Sequence, residues 1–135
     1  MNLAQSAAIT TLGALFPLLN GGTGVIYSGS MPATPETAAT GTALATATFA
    51  STALSGSITY VSPDVQGALA FTSTSISPSA SGTAGYMRLF ESDGTTVVAD
   101  LTVGTSGTDV VLGTTTISTG TTINITSAVL KLPAV

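Results

Sequence analysis

The chain has 135 residues, of which two are cationic and six anionic, so that charged side chains make up 6% of it and the net charge is −4; an ordinary soluble domain carries about 25%. Mean hydropathy is +0.57, and with two fixed cations there is no basic footprint from which to neutralise phosphates, which disfavours nucleic acid and anionic membranes as partners. Cys and His are absent, which removes thiolate and imidazole catalysis, their metal ligation and any disulfide framework.

Ala8, Leu12, Leu15, Phe16 and Leu19 recur at spacings of three and four. That spacing predicts a helix starting near Asn2, ending around Pro17 and burying one face. Its other face carries Ser6, Thr10 and Thr11 and no charge, which predicts cover from elsewhere in the protein or from a neighbouring molecule. The run has no Lys or Arg before its apolar stretch, so it is expected to belong to the mature protein. It is also too interrupted for a membrane span, which needs roughly 20 predominantly apolar residues.

Gly21 and Gly22 end that segment. Residues 1–20 are read as a helical arm and 21–135 as the β domain, since Thr is abundant and β-branched residues favour strands. A strand is predicted over Val25–Tyr27, an irregular loop over the proline-containing MPATPETAATG, and strands over Ala43–Phe49, Ser57–Val61 and Gln66–Ser73, with a turn at Pro63-Asp64. The Ser- and Gly-rich stretch 74–85 reads as loop.

YMRLFES and TTVVADLTV flank Asp93-Gly94, a favoured dipeptide of two-residue type I′ hairpin turns. A two-residue turn sets Arg88 opposite Ala99 and puts Glu91 and Asp100 together on the face away from Arg88. Neither face is cleanly polar, so both are expected to be covered. Strands over Thr108–Leu112, around Ile117, and over Ile123–Ile125 complete the series. Short strands broken by turns every 8 to 12 residues predict an all-β chain, an antiparallel β-sandwich of jelly-roll type with a short N-terminal helix.

Half of the charged residues, Arg88, Glu91, Asp93 and Asp100, lie within residues 88–104. Glu91 with Asp100 could form a glycosidase acid pair, but there is no Trp or His and almost no Arg to orient a sugar or tune a pKa. Asp93, Asp100 and Asp109 could supply oxygens to a cation, yet the spacing of a calcium loop is missing. Gly82–Gly85 and Gly104–Gly107 lack the Lys of a phosphate loop and read as turns. No enzyme activity, cofactor or metal is expected. Arg88, on a strand beside Tyr86 and Phe90, is expected to pair with an acid in preference to contacting a ligand.

Residues 24–49 (GVIYSGSMPATPETAATGTALATATF), 82–112 (GTAGYMRLFESDGTTVVADLTVGTSGTDVVL) and 115–133 (TTISTGTTINITSAVLKLP) resemble the capsid cement or decoration proteins of tailed bacteriophages. The resemblance covers well over half of the chain through structural motifs. It implies a jelly-roll module on the outer surface of the virion that ties neighbouring major-capsid subunits together, needs no active site and self-associates as a dimer or other small oligomer. Leu12, Leu15, Phe16, Arg88, Glu91 and Asp100 are then the candidate assembly contacts. Another phage head or tail component, or a carbohydrate-binding sandwich with an exposed aromatic platform, would have similar composition.

Overall fold

The computed structural model describes residues 3–134. Helix α1 (Gln5–Leu15) runs into a 3-10 turn over Phe16–Leu19 and is followed by nine strands: β1 (Thr23–Ser28), β2 (Ala43–Val61), β3 (Asp64–Phe71), β4 (Ser75–Ile76), β5 (Gly82–Phe90), β6 (Val97–Gly104), β7 (Val110–Leu112), β8 (Thr116–Ile117) and β9 (Ile123–Pro133). The protein is therefore mostly β with one short N-terminal helix. The helix start expected near Asn2 lies outside the described residues.

The strands close on themselves. Hydrogen bonding runs β1-β2-β3-β9-β7-β6-β5, and β1 bonds β5 as well as β2, so seven strands form a barrel-like ring, with β4 attached to β9 and β8 to β5. A jelly-roll sandwich would instead pack two sheets face to face. What closes the ring is β1, whose residues Thr23–Tyr27 pair both with Ala43–Thr48 and with Tyr86–Phe90. All pairings are antiparallel except β6 with β7.

The predicted helical stripe is the one that is buried. Ala8, Leu12, Phe16 and Leu19 join a core with Ile26, Phe49, Val65, Met87, Leu89, Leu101 and Leu130, while Leu15 packs half-buried against it. Arm and barrel thus share one core. Phe16 sits over Gly67, where an added Cβ would lie 2.8 Å from the Phe16 ring. The bare backbone at Gly67 is what lets the aromatic ring approach the sheet so closely.

The other helix face is exposed, contrary to the cover expected for it within the chain: Ser6, Ile9, Thr10, Thr11 and Leu18 all face outward. The threonine hydroxyls are donated to their own helix, Thr10 Oγ1 to the Ser6 carbonyl (3.1 Å) and Thr11 Oγ1 to that of Ala7 (2.8 Å). Hydroxyls turned back onto their own helix leave a low-polarity surface.

Two other local readings change. The segments 43–49 and 57–61 belong to one continuous strand, β2, whose register against β3 shifts between Phe49 and Leu54 and again between Ser55 and Thr59. The stretch 74–85, read as loop, contributes β4 and the start of β5. Their partners, β9 and β8, are distant in sequence.

The Asp93-Gly94 hairpin exists but its turn is different. A type I′ turn needs positive φ at both central residues, and only Gly94 (φ +74°) has it. Asp93 instead accepts the amides of Thr95 (2.9 Å) and Thr96 (2.8 Å) on Oδ1, while Gly94 N–H bonds the Glu91 carbonyl. The register then shifts between Leu89 and Phe90: Phe90 faces Val97 and Leu89 faces Ala99, which leaves Val98 as an extra residue and brings Arg88 opposite Asp100. Such a bulge reverses which side chains share a face.

Thr96 Oγ1 also donates to Asp93 Oδ2, and this bond, followed by those from the Thr96 and Thr95 amides, holds the Asp93 carboxyl down at about 2, against an ordinary value of 3.8. A depressed carboxylate stabilises the fold above its ordinary pKa and loses that contribution as pH falls through the folded value. The expected result is a hairpin that is fully tightened above pH 3.8 and loosens towards pH 2. A carboxyl-carbon NMR titration checks this, and an Asp93 midpoint near 4 would refute it.

Candidate functional site

The charge cluster seen in the sequence becomes a specific arrangement on the outer side of β5 and β6. Arg88 donates from Nε to Asp100 Oδ1 (2.7 Å) and from Nη2 to Oδ2 (3.0 Å), a two-pronged ion pair. Although it lies on the outside of the ring, the Arg88 side chain is 4% exposed and that of Asp100 3%. The hydrogen bond to Asp100 raises the Arg88 pKa further above its usual value, against the opposing effect of burial. The fork geometry needs arginine, because lysine would offer a single point charge.

Two tyrosines stand close enough to the Arg88 guanidinium to help raise its pKa. Tyr27 on β1 and Tyr86 on β5 are register partners, and their rings stack with centroids 5.3 Å apart. Tyr86 Oη accepts from Thr40 N–H (2.9 Å) and donates to the Thr40 carbonyl (3.0 Å), tying down the loop between β1 and β2. That loop crosses β5 at Gly85, where a Cβ would overlap the Gly29 carbonyl. Tyr86 is fully buried as a result, and its part in holding the strap has no local sequence signature.

Next to the ion pair lies a cleft of about 350 Å³. It opens because β7 is only three residues long. β7 bonds Val103 and Gly104 on one side and Ile125–Ala128 on the other, so no strand separates Ala99–Leu101 from Leu130–Leu132. Leu12 and Leu15 of α1 line this gap with Leu101 and Leu130, and Asp100, Asp109 and Lys131 also border it. Asp109 is engaged, accepting from Thr102 N–H (3.2 Å) and Thr102 Oγ1 (3.1 Å).

The six expected contact residues are thus divided among different roles. Leu12 and Phe16 are buried in the core, Leu15 is half-buried in the cleft wall, and Arg88 and Asp100 are locked together. Glu91 stands apart at the start of the hairpin turn. The bulge removes Asp100 from the face the sequence reading gave it and with it the pairing of Glu91 and Asp100. The large apolar side chains that stand exposed among the described residues are ones the sequence reading did not select: Ile9 on α1, Leu18 in the 3-10 turn, Met31 in the loop after β1, and Tyr60 and Val61 at the end of β2.

The three aspartates considered as a cation site each serve a separate local structure, Asp93 in the turn, Asp100 with Arg88 and Asp109 with Thr102. Among the described residues no group of three or more His, Cys, Asp or Glu side chains is placed to hold a metal ion. Of the tyrosines that could form a sugar platform, Tyr27 and Tyr86 stack under the strap and Tyr60 stands exposed by itself. No helix among the described residues is long and apolar enough to cross a membrane. Comparison with family models, curated proteins and solved structures finds no match to this chain.

Proposed function

We propose that this protein is a structural virion component that decorates the outer surface of a tailed-phage capsid and cements neighbouring major-capsid subunits. The observation that carries this reading is how the charge is used. Arg88 and Asp100 neutralise each other, and Asp93 and Asp109 are bound to neighbouring threonines, so the helix and much of β2 meet the surroundings with Thr, Ser, Ala and single large apolar side chains. Such a surface loses little on desolvation, because few ionised groups must leave water. The stretches that resemble decoration proteins supply most of the ring, β1, the first part of β2, and β5 to β9. On this proposal the closed sheet is a variant of the jelly-roll module of those proteins.

Cementing then needs no active site. Each copy contributes a modest contact across a capsid seam, and many copies on one shell multiply it. The test is to add purified protein to heads assembled without it. Saturable co-sedimentation and survival of DNA-filled heads to a higher temperature are the expected results. Heads that neither bind the protein nor gain heat resistance would overturn the proposal, and density for the protein inside the head or on the tail would replace it with another virion role.

A further inference from the structure

We infer that the gap between β6 and β9 is a strand-insertion slot, which takes an extended segment of another protein carrying an acidic residue between two apolar ones. β7 fills the space between these strands at one end only, where Val103 pairs with Val110 and Val110 with Ala128. Continued past the start of β7, that register sets Asp100 of β6 level with Lys131 of β9, two strand spacings apart. Asp109 is the last residue to bridge them, its carboxylate taking the Thr102 N–H and its carbonyl the Val129 N–H. Beyond Asp109 the gap is one strand wide and holds the cleft of about 350 Å³.

Both walls of the slot are open. Along an antiparallel strand, successive residues point their N–H and C=O groups to opposite sides. The Thr102 N–H points away from β5 towards Asp109, so the backbone groups of Asp100, two residues back, point into the gap as well. On β9 the Val129 N–H points away from β3, and the N–H and C=O of Lys131 do the same. Pro133, next in that alternation, has no N–H to leave unpaired. No backbone group among the described residues bonds Asp100 or Lys131 on the gap side. Two unpaired edges facing each other across one strand's width form a template for strand addition.

The register decides what fits. A strand running as β7 does, parallel to β6 and antiparallel to β9, bonds Lys131 through one residue and Asp100 through the residues before and after it. The middle residue points outward with Asp100 and Lys131. Its neighbours point inward between Leu101 and Leu130, over Leu12 and Leu15 of α1, and must be apolar. The outward position suits an acid, because Asp100 is neutralised by Arg88 whereas Lys131 is exposed and in no ion pair among the described residues. A small apolar molecule would leave the backbone groups of both walls unpaired. In this chain the acid with aliphatic neighbours on both sides is Asp100, within Ala99–Leu101; it is itself one wall of the slot, so the segment comes from a different protein.

The test uses the blocked peptide acetyl-Thr-Val-Glu-Val-Thr-amide at millimolar concentration, read by amide hydrogen exchange in NMR. In the free protein, Asp100 and Lys131 N–H groups are expected to exchange much faster than those of Leu101 and Leu130, which face β5 and β3. The peptide should slow both, saturably. Methylating its glutamate nitrogen removes the donor to the Lys131 carbonyl and should weaken binding at least about tenfold. Lys131→Glu, at an exposed position, should reverse the preference for this peptide over Thr-Val-Lys-Val-Thr, by about threefold or more. Slow exchange at Asp100 and Lys131 in free protein would show a slot filled from within the chain. Protection that rises with protein concentration alone would make the occupant a second copy. Protection by benzene as effective as by the peptide would reduce the cleft to an apolar hollow. Each of these outcomes, like a peptide without effect, overturns the inference. None of the measurements involves a capsid, so their failure leaves the cementing role standing.

Discussion

Truncating Asp100 to alanine is expected to destabilise the protein by about 3 kcal/mol or more, the size found when one partner of a buried ion pair is removed. The reason is the charge left behind. Arg88 is 3% exposed and bonds Asp100 through two nitrogens; once the carboxylate is gone the guanidinium has neither water nor acid to replace it. The readout is the denaturant midpoint at unchanged slope, which isolates stability from compactness. Replacing both residues together, Arg88→Met with Asp100→Leu, is expected to recover most of the loss, because an apolar pair of similar volume needs no counter-charge. A double variant as unstable as the single one would show that the ion pair itself, and not the stranded cation, sets the cost.

Phe16→Ala should be comparably severe, at about 3–5 kcal/mol, the range for removing a buried aromatic side chain. Phe16 is 2% exposed and seated over Gly67, so its loss opens a cavity between the helix and the sheet. Gly67→Val attacks the same contact from the other side: its added carbons would occupy the place of the Phe16 ring and of the Leu54 Cδ1 atom, 3.0 Å from the first of them. Leu18→Ala, at a side chain 46% exposed, should change stability by no more than about 0.5 kcal/mol. Equal small effects at Phe16 and Leu18 would show that α1 is an appendage and not part of the core.

These outcomes bear on function through where the helix leaves its apolar residues. Leu12 and Phe16 belong to the core, so variants at these positions test folding, whereas Ile9 and Leu18 face outward and can test binding without unfolding the protein. The end of β2, where Tyr60 and Val61 are exposed, is the other such region.

The amphipathic stripe of α1 was legible because it depends on residues three and four apart, a spacing that any helix imposes. Most strand positions were legible for the same local reason, through alternation and turn residues, but β4 and the start of β5 read as loop and β2 read as two strands. The pairing of Arg88 with Asp100 was not. Counting back from a two-residue turn puts Ala99 opposite Arg88, and a single extra residue at Val98 changes the partner. The preference of Asp93 for the amides of Thr95 and Thr96 over a left-handed backbone is what altered the turn, and the dipeptide alone does not announce it.

The sequence by itself determined the β-rich composition, the buried face of the helix and the scarcity of ionised groups, because each is a property of residue types or of neighbours a few positions apart. Only the tertiary structure decided that the sheet closes through β1 and β5, that Tyr86 holds down the loop before β2, and that the end of β2 is strand-paired, among the described residues, on its β3 side alone. Those outcomes depend on pairings between segments far apart in the chain. Backbone hydrogen bonds are the same for every residue pair, so it is the packing of the whole core that chooses which strands meet and in which register.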